Sequence, residues 1–286
     1  MKNTILVTGA TGTVGSQVVK QLTAIGADVR AAVRSTSKAA GMNKVSLVEF
    51  DLNKVETVQA AFEGIDQVFL ATPLVSNMVE LDAMTIASAK KAGVKHIVRL
   101  SVMGADTEQE FPLGNLHRQV EKLIEASGIS YTFLRPNSFF QNYITFTGST
   151  IKSQNSFYLP LGDGKVSFVD VRDVAAVAAA ELTQSGDENQ AYEVTGSEAI
   201  SNDQIASILS KILGKPISYI SISEDTARQS MKSVGMPEPE IELVLGLYAE
   251  QKAGNYSTIS PAVEQITGKK PISFEQFAND YTEAFS

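Results

Sequence analysis

Gly9, Gly12 and Gly15 punctuate the run Ile5-Leu6-Val7-Thr8-Gly9-Ala10-Thr11-Gly12-Thr13-Val14-Gly15, where an apolar stretch passes through a small-residue turn into a helical pattern. Such a turn can hold a pyrophosphate. Gly9 lets the chain turn sharply, Gly12 lets the backbone approach phosphates, and Gly15 lets the new helix pack on the strand. Thr11, Thr13 and Val14 complete a loop whose amides, with the helix N-terminus, face the anion. The spacing is G-x-x-G-x-x-G where G-x-G-x-x-G is the familiar form, and a bare glycine triplet also describes a flexible loop. The strand before it and the helix after it favour a dinucleotide site. Val14, Val18, Val19 and Leu22 share one helical face, and Gly26 ends the helix.

The second strand, Val29 to Val33, ends where a site for NAD(H) would place a carboxylate on the ribose 2′-hydroxyl. Asp28 lies at the wrong end of that strand, and Arg34 stands at the rim instead. A guanidinium fork there, with Ser35 or Lys38 as a second partner, suits a 2′-phosphate, so NADP(H) is preferred and NAD(H) stays open. The competing reading makes Arg34 a solvated surface arginine.

The elements that must position these groups follow from periodicity. Val45 to Phe50 reads as a strand, Lys54 to Glu63 as a helix, Gln67 to Pro73 as a strand, and Val79 to Lys91, closed by Gly93, as a helix. Lys95 to Ser101, the helix Leu116 to Ala126 closed by Gly128, and the strand Tyr131 to Arg135 continue the alternation. That pattern specifies an α/β fold with a doubly wound parallel sheet. Ligands in such sheets sit beyond the carboxyl ends of the strands, which marks Gly9, Arg34, Asp51, Ala71, Thr72, Pro73, Ser101, Pro136 and Asn137 as rim positions. Asp51 can accept from an adenine amino group or cap the following helix. After Asn137 the alternation gives way to irregular chain around Gly148, Gly162 and Gly164. Val169 to Leu182 then resumes as a helix and Ala191 to Val194 as a strand. The expected division is 1–150 for the nucleotide domain, its sheet completed by 165–196, and 197–286 for a smaller lid. Helices are expected there near Ser201 to Leu213, Glu224 to Ser233, Glu238 to Lys252 and Phe274 to Ala284.

Composition narrows the chemistry. The 286 residues carry 43% hydrophobic and 20% charged side chains, an ordinary globular balance without repeats, and a formal net charge of −8 that argues against a nucleic-acid surface. There is no cysteine, so thiolate catalysis, disulfides and zinc-thiolate sites are excluded. The two histidines, His96 and His117, match no metal-ligating spacing, and no metal is expected. No leader precedes the first strand and no apolar run is long enough to span a bilayer, so the expected location is the cytoplasm, without membrane insertion.

The segments TGATGTVG, VRAAVRS, FDLNK, FLATP, AGVKHIVRLS, YTFLRPNSFFQN, VDVRDVA and YEVTGSEAIS together resemble the NmrA-like family of atypical short-chain dehydrogenase/reductases, nearly end to end. Within it the chain is most similar to bacterial NADPH-dependent quinone oxidoreductases and triphenylmethane reductases. The resemblance implies a Rossmann domain with a small C-terminal α/β substrate domain, and NADP(H) as cofactor. It implies no catalytic residue. The wider superfamily uses a Tyr-x-x-x-Lys pair, whereas this helix reads Leu116-His117-Arg118-Gln119-Val120-Glu121-Lys122. If His117 takes the tyrosine's place, Glu121 takes the lysine's. Four residues of helix leave these two on one face, about 40° apart, whereas Lys122 is turned roughly 140° from His117.

His117 is therefore a candidate proton donor, with Glu121 favouring its imidazolium; the alternative is a surface pair that supports the helix. Ser101 can bond a substrate oxygen or satisfy loop backbone. Asn137, Phe139, Phe140, Asn142 and Tyr143 supply amides and aromatics for a flat substrate, or a core where two domains meet. His96, Phe69, Asp170 and Asp173 read as structural. Together these point to a reductase passing hydride from NADPH to a quinone-like or conjugated aromatic acceptor, the partner being that small molecule, with a homo-oligomer left open. The alternative is a non-catalytic NADP(H)-sensing regulator. A sugar-nucleotide epimerase is disfavoured, since it needs the acid/base pair.

Overall fold

The computed structural model describes residues 3–286 except 38, 40, 43, 108–111 and 184–188. Its first half alternates as the apolar periodicity requires: β1 (Thr4–Val7), α1 (Gly15–Ala24), β2 (Asp28–Val33), β3 (Ser46–Glu49), α2 (Val55–Ala61), β4 (Gln67–Leu70), α3 (Met78–Ala92), β5 (His96–Leu100), α4 (Pro112–Ser127) and β6 (Ser130–Pro136). A π-helical turn (Tyr143–Thr147), α5 (Gly148–Gln154), β7 (Ser156–Leu159), α6 (Val171–Glu181) and β8 (Gln190–Val194) follow. The remainder is α7 (Asn202–Leu213), β9 (Ser218–Ser221), α8 (Glu224–Ser233), α9 (Glu238–Lys252), α10 (Ala262–Thr267), α11 (Phe274–Asp280) and a 3-10 turn (Thr282–Ala284).

The chain forms two compact units. The first is Met1–Thr107, Gly114–Arg135 and Val174–Glu193; the second is Glu108–Leu113, Pro136–Asp173 and Val194–Ser286. The first unit thus gives up residues 108–113, 136–150, 165–173 and 194–196, which the sequence reading assigned to the nucleotide domain. The reason lies in side-chain packing. Phe140 and Phe168 pack on each other, and Phe140 lies 5.2 Å and 5.4 Å, ring centre to ring centre, from Phe274 and Phe277. These rings build the core of the second unit.

In the first unit the sheet order is β3-β2-β1-β4-β5-β6-β8. Ile5 pairs in parallel with Val29 on one side and Gln67 on the other, so the order reverses across β1 and β4. That reversal opens a crevice at their carboxyl ends. The apolar runs that named the strands are buried: Ile5, Leu6, Val7, Val68, Phe69, Leu70, Ile97 and Val98 are all at most 2% exposed. One face is covered by α2, α3 and α4 through Val58, Phe62, Ile86, Ala89, Val120 and Ile124. Helix α1 buries Gly15, Val18, Val19 and Leu22. It ends as its glycine requires: Gly26 adopts φ +73, its amide bonds the Thr23 carbonyl, and the Ala27 amide bonds Leu22.

In the second unit β7 and β9 form a separate two-stranded parallel sheet, starting with Ser156 opposite Ser218. Helix α7 begins with a reciprocal cap between Ser201 and Gln204. The sequence reading placed α7, α8 and α9 closely but missed β7, β9, α5, α10 and the π-helical turn.

Candidate functional site

The glycine loop has the geometry its sequence requires. Gly9 adopts φ +59, and the Gly12 amide donates back to its carbonyl at 2.8 Å. A Cβ on Gly15 would stand 2.2 Å from the Gly9 carbonyl oxygen, and one on Gly12 would stand 3.1 Å from it. Thr11, Gly12 and Thr13 form the exposed crest. No side chain caps the start of α1 and no acidic residue occupies its first turn. Among the described residues, the amides of Thr11, Thr13 and Val14 donate to no protein acceptor. Free amides at an uncapped helix start suit a phosphate group, and the closeness of Gly15 to Gly9 keeps that cradle shallow. The residues present therefore fit a dinucleotide pyrophosphate.

The neighbouring rim is tied to this loop. The Thr8 hydroxyl accepts from the Ala71 amide at 2.8 Å and lies 3.1 Å from the Ala71 carbonyl, clamping the ends of β1 and β4 together. Thr72 donates to Asp82. Buried Asp82 in turn pairs with Arg99 at 2.9 Å, and Arg99 also donates to the Leu70 carbonyl at 3.1 Å. Sequence reading missed this pair, although an arginine inside the apolar strand His96-Ile97-Val98-Arg99-Leu100 signals a buried counter-charge. Pro73 is exposed at the same rim.

Arg34 is exposed and makes no ion pair among the described residues, so its fork is available to an anion. Ser35 shares its hydroxyl with Ser37 at 3.0 Å, and Lys38 lies outside the described residues. Asp51 accepts from the Asn53 amide at 3.0 Å and from the Asn53 side chain at 3.3 Å. These bonds hold its carboxyl below the usual range, with Lys54 and Arg34 adding to the effect. Oδ1 thus stabilises the turn ahead of α2, whose N-cap is Lys54 with no side-chain cap bond.

Ser101 and the α4 residues depart most from expectation. The Ser101 hydroxyl donates to Glu121 at 2.7 Å. Glu121 is fully buried and also accepts from Arg135 at 3.0 Å and 2.8 Å and from Arg118 at 3.1 Å. Arg135 further pairs with Asp106. Glu121 therefore sits in an arginine cluster at the ends of β5 and β6, and its carboxylate bonds these residues in place of His117.

The His117 ring is part-buried, with a buried Nδ1 that has no partner among the described residues. Burial, then the Arg99 guanidinium, push its pKa down to about 3. The expected imidazolium held by Glu121 does not form: desolvation and a like charge outweigh a carboxylate already engaged elsewhere. His96 bonds Thr132 at 3.1 Å, the structural role expected of it.

In the second unit the predicted substrate residues divide. Asn137 is buried; its amide donates to the Ser167 hydroxyl and the Tyr256 carbonyl, and its oxygen accepts from the Ser138 amide. With both donor hydrogens engaged it supports the backbone, and its expected part as a substrate anchor is corrected. Phe140 is 2% exposed and belongs to the aromatic core, as is buried Pro136 to the strand end. Phe139 is half-buried and bridges to Val169.

Asn142 and Tyr143 do line a pocket of about 350 Å³, its open mouth included, together with Ser138, Phe146, Tyr248 and Gln251 among others. Sequence reading left Tyr248 unassigned and passed over Phe146, which follows Tyr143 on the π-helical turn and is exposed there. Asp170 accepts from Gln141 and Arg172, and Asp173 from the Ile272 amide, both structural. Among the described residues no His, Asp and Glu cluster could hold a metal ion, and no helix is long and apolar enough to cross a membrane.

Comparison with known proteins places this geometry. The model of the NmrA-like family matches residues 1–278. An NAD(P)H azoreductase from Xenophilus azovorans is 38% identical over 283 residues, covering 98% of this chain and 99% of that protein. The crystal structure of an NADPH-dependent quinone oxidoreductase from Escherichia coli, complexed with NADPH, is 27% identical with a TM-score of 0.88, covering 97% of this chain and 99% of that one. The Citrobacter triphenylmethane reductase complexed with NADP(H) is 27% identical with a TM-score of 0.85 over the same shares.

Proposed function

The chain belongs to the NmrA-like family and is an NAD(P)H-dependent reductase, and from that premise we propose that it reduces quinone-like, conjugated aromatic acceptors with NADPH. The reduced nicotinamide, when bound, supplies the hydride. The exposed amides of Thr11 and Thr13, with Gly12 and the start of α1, hold the pyrophosphate. Arg34 takes the ribose 2′-phosphate and prefers NADPH over NADH.

The observation that carries the acceptor class is the chemistry at positions 117 and 121. Glu121 is engaged by Ser101, Arg118 and Arg135, and His117, with a pKa near 3, is neutral at neutral pH. Glu121 only accepts in these bonds, His117 offers the N–H of a neutral ring, a far weaker acid than an imidazolium, and the Ser101 hydroxyl proton is committed to Glu121. A simple ketone needs an acid donor, whereas a quinone does not: hydride arrival leaves an oxyanion spread over a conjugated ring, and solvent protonates it. What remains for the protein is to bind, orient and exclude water.

The test is NADPH consumption by the purified protein against quinones, an azo dye, a triphenylmethane dye and simple aliphatic ketones, with NADPH binding measured in parallel. Oxidation that depends on the conjugated acceptors and not on aliphatic ketones supports the reading. Tight NADPH binding with no oxidation by any acceptor overturns it.

A further inference from the structure

The pocket in the second unit is built for one kind of ring. Its walls are Phe146, Leu159, Leu161 and Phe168, and every side chain lining it is uncharged. One wall is the π-helical turn Tyr143–Thr147, a rare conformation that recurs at functional sites. The turn buries Tyr143 and Thr147, which are joined by a Thr147 hydroxyl bond to the Tyr143 carbonyl at 2.7 Å. It leaves Phe146 64% exposed at the pocket mouth.

The polar groups are few and specific. Tyr143 donates its hydroxyl to Asn202 at 2.7 Å and is spent. Ser138 accepts from Gln251 at 2.6 Å. Tyr248 is anchored against Ala227, Ile241 and Leu245, and its hydroxyl has no hydrogen-bond partner among the described residues. Burial holds that hydroxyl protonated, its pKa pushed up to about 12. It is a donor in an uncharged enclosure, beside the Asn142 and Gln251 amides and the Ser138 hydroxyl.

We propose that this pocket binds an uncharged aromatic ring system bearing a hydrogen-bond acceptor, with Phe146 stacking on the ring and Tyr248 donating to the acceptor atom. This rests on the reading that the protein reduces aromatic acceptors, and it adds the rule that selects among them. A ring carrying a sulfonate loses its hydration in the pocket and meets no cation there, so it is excluded. Tyr248 is a specificity residue: it acts on the bound ring and supplies no hydride.

The experiment uses non-reacting probes and the full chain. Equilibrium binding of 2-acetylnaphthalene, naphthalene and naphthalene-2-sulfonate is measured for the wild type, Tyr248→Phe and Phe146→Ala, and the KM for a naphthoquinone is measured beside it. We expect 2-acetylnaphthalene to bind and the sulfonate not to. Tyr248→Phe should weaken 2-acetylnaphthalene roughly three- to tenfold, the worth of one hydrogen bond, and leave naphthalene unchanged. Phe146→Ala should weaken both neutral probes, and because Phe146 is exposed this variant tests the pocket even if Tyr248→Phe misfolds.

Equal binding of the sulfonate, or neutral-probe binding indifferent to both substitutions, overturns the pocket assignment even where NADPH oxidation proceeds. Probe binding that depends on Tyr248 and Phe146 while no acceptor is ever reduced upholds the pocket and removes the reductase chemistry instead.

Discussion

The Ser101 hydroxyl donates to the Glu121 carboxylate at 2.7 Å, across the gap between the end of β5 and the middle of α4. This one bond reassigns both residues. Ser101, 4% exposed, has its hydroxyl hydrogen engaged by a buried acceptor, and Glu121 becomes the centre of a cluster that includes Arg118 and Arg135. The helix positions that would carry an acid and its helper hold a structural anion and a neutral imidazole.

Removing the centre of that cluster should cost far more than removing its edge. Glu121→Ala leaves buried Arg135 with only the half-exposed Asp106 as ion-pair partner among the described residues, which should destabilise the protein by about 3 kcal/mol. Ser101→Ala removes one hydrogen bond and should cost about 1 kcal/mol. Thermal melts of the two variants check this, and equal losses would show that Glu121 is not the hub.

The buried ionisable groups predict opposite pH responses. The folded-state pKa of His117 is depressed from 6.5 to about 3, so the unfolded chain binds more protons between those values, and stability contributed by the neutral ring is lost as pH falls through that window. Burial raises Asp173 from 3.8 to about 6, so its contribution is lost as pH rises between them. His117→Gln should therefore gain stability relative to the wild type on acidification below 6.5, and Asp173→Asn should gain relative to it as pH rises from 4 to 6. Melting temperatures across pH 3.5–7.5 read both slopes, and parallel curves for variant and wild type would refute them.

Two glycines separate cradle from cap. Gly15→Ala drives a Cβ to within 2.2 Å of the Gly9 carbonyl, so the loop must shift and NADPH affinity should collapse. A Cβ at Gly26 meets nothing within 4 Å, and Gly26→Ala strains only a left-handed residue, costing about 1–2 kcal/mol of stability with NADPH affinity retained. Titration of both variants with NADPH distinguishes them.

The 2′-phosphate reading rests on Arg34 alone among the described rim cations. Arg34→Ala should weaken NADPH roughly ten- to a hundredfold, as expected for a lost charge-assisted bond, and leave NADH nearly unchanged. Equal loss for both dinucleotides would return Arg34 to the solvated surface.

The sheet was legible because parallel strands buried on both faces read as apolar runs, and because Gly26, Gly93 and Gly128 stop helices where left-handed residues are needed. The glycine loop was legible because the contacts that shape it, Gly12 to Gly9 and Gly15 to Gly9, are local. Strands β7 and β9 span four residues each, pair only with each other, and carry too short a pattern to separate from loop. Only Arg118 among the partners of Glu121 could be read from its own helix, since Ser101 and Arg135 lie 20 and 14 residues away, just after β5 and on β6. Asn137 was placed at the right strand end, but position on a rim does not say which way an amide points. Its amide donates to Ser167 and Tyr256, and only folding brings those residues to it.

The most direct measurement is the rate of NADPH oxidation with an uncharged naphthoquinone, compared between NADPH and NADPH deuterated separately at each face of nicotinamide C4. Direct hydride transfer predicts acceptor-dependent oxidation that slows with deuterium on one face and not on the other. Binding of NADPH without acceptor-dependent oxidation would contradict the account and leave a dinucleotide sensor in its place.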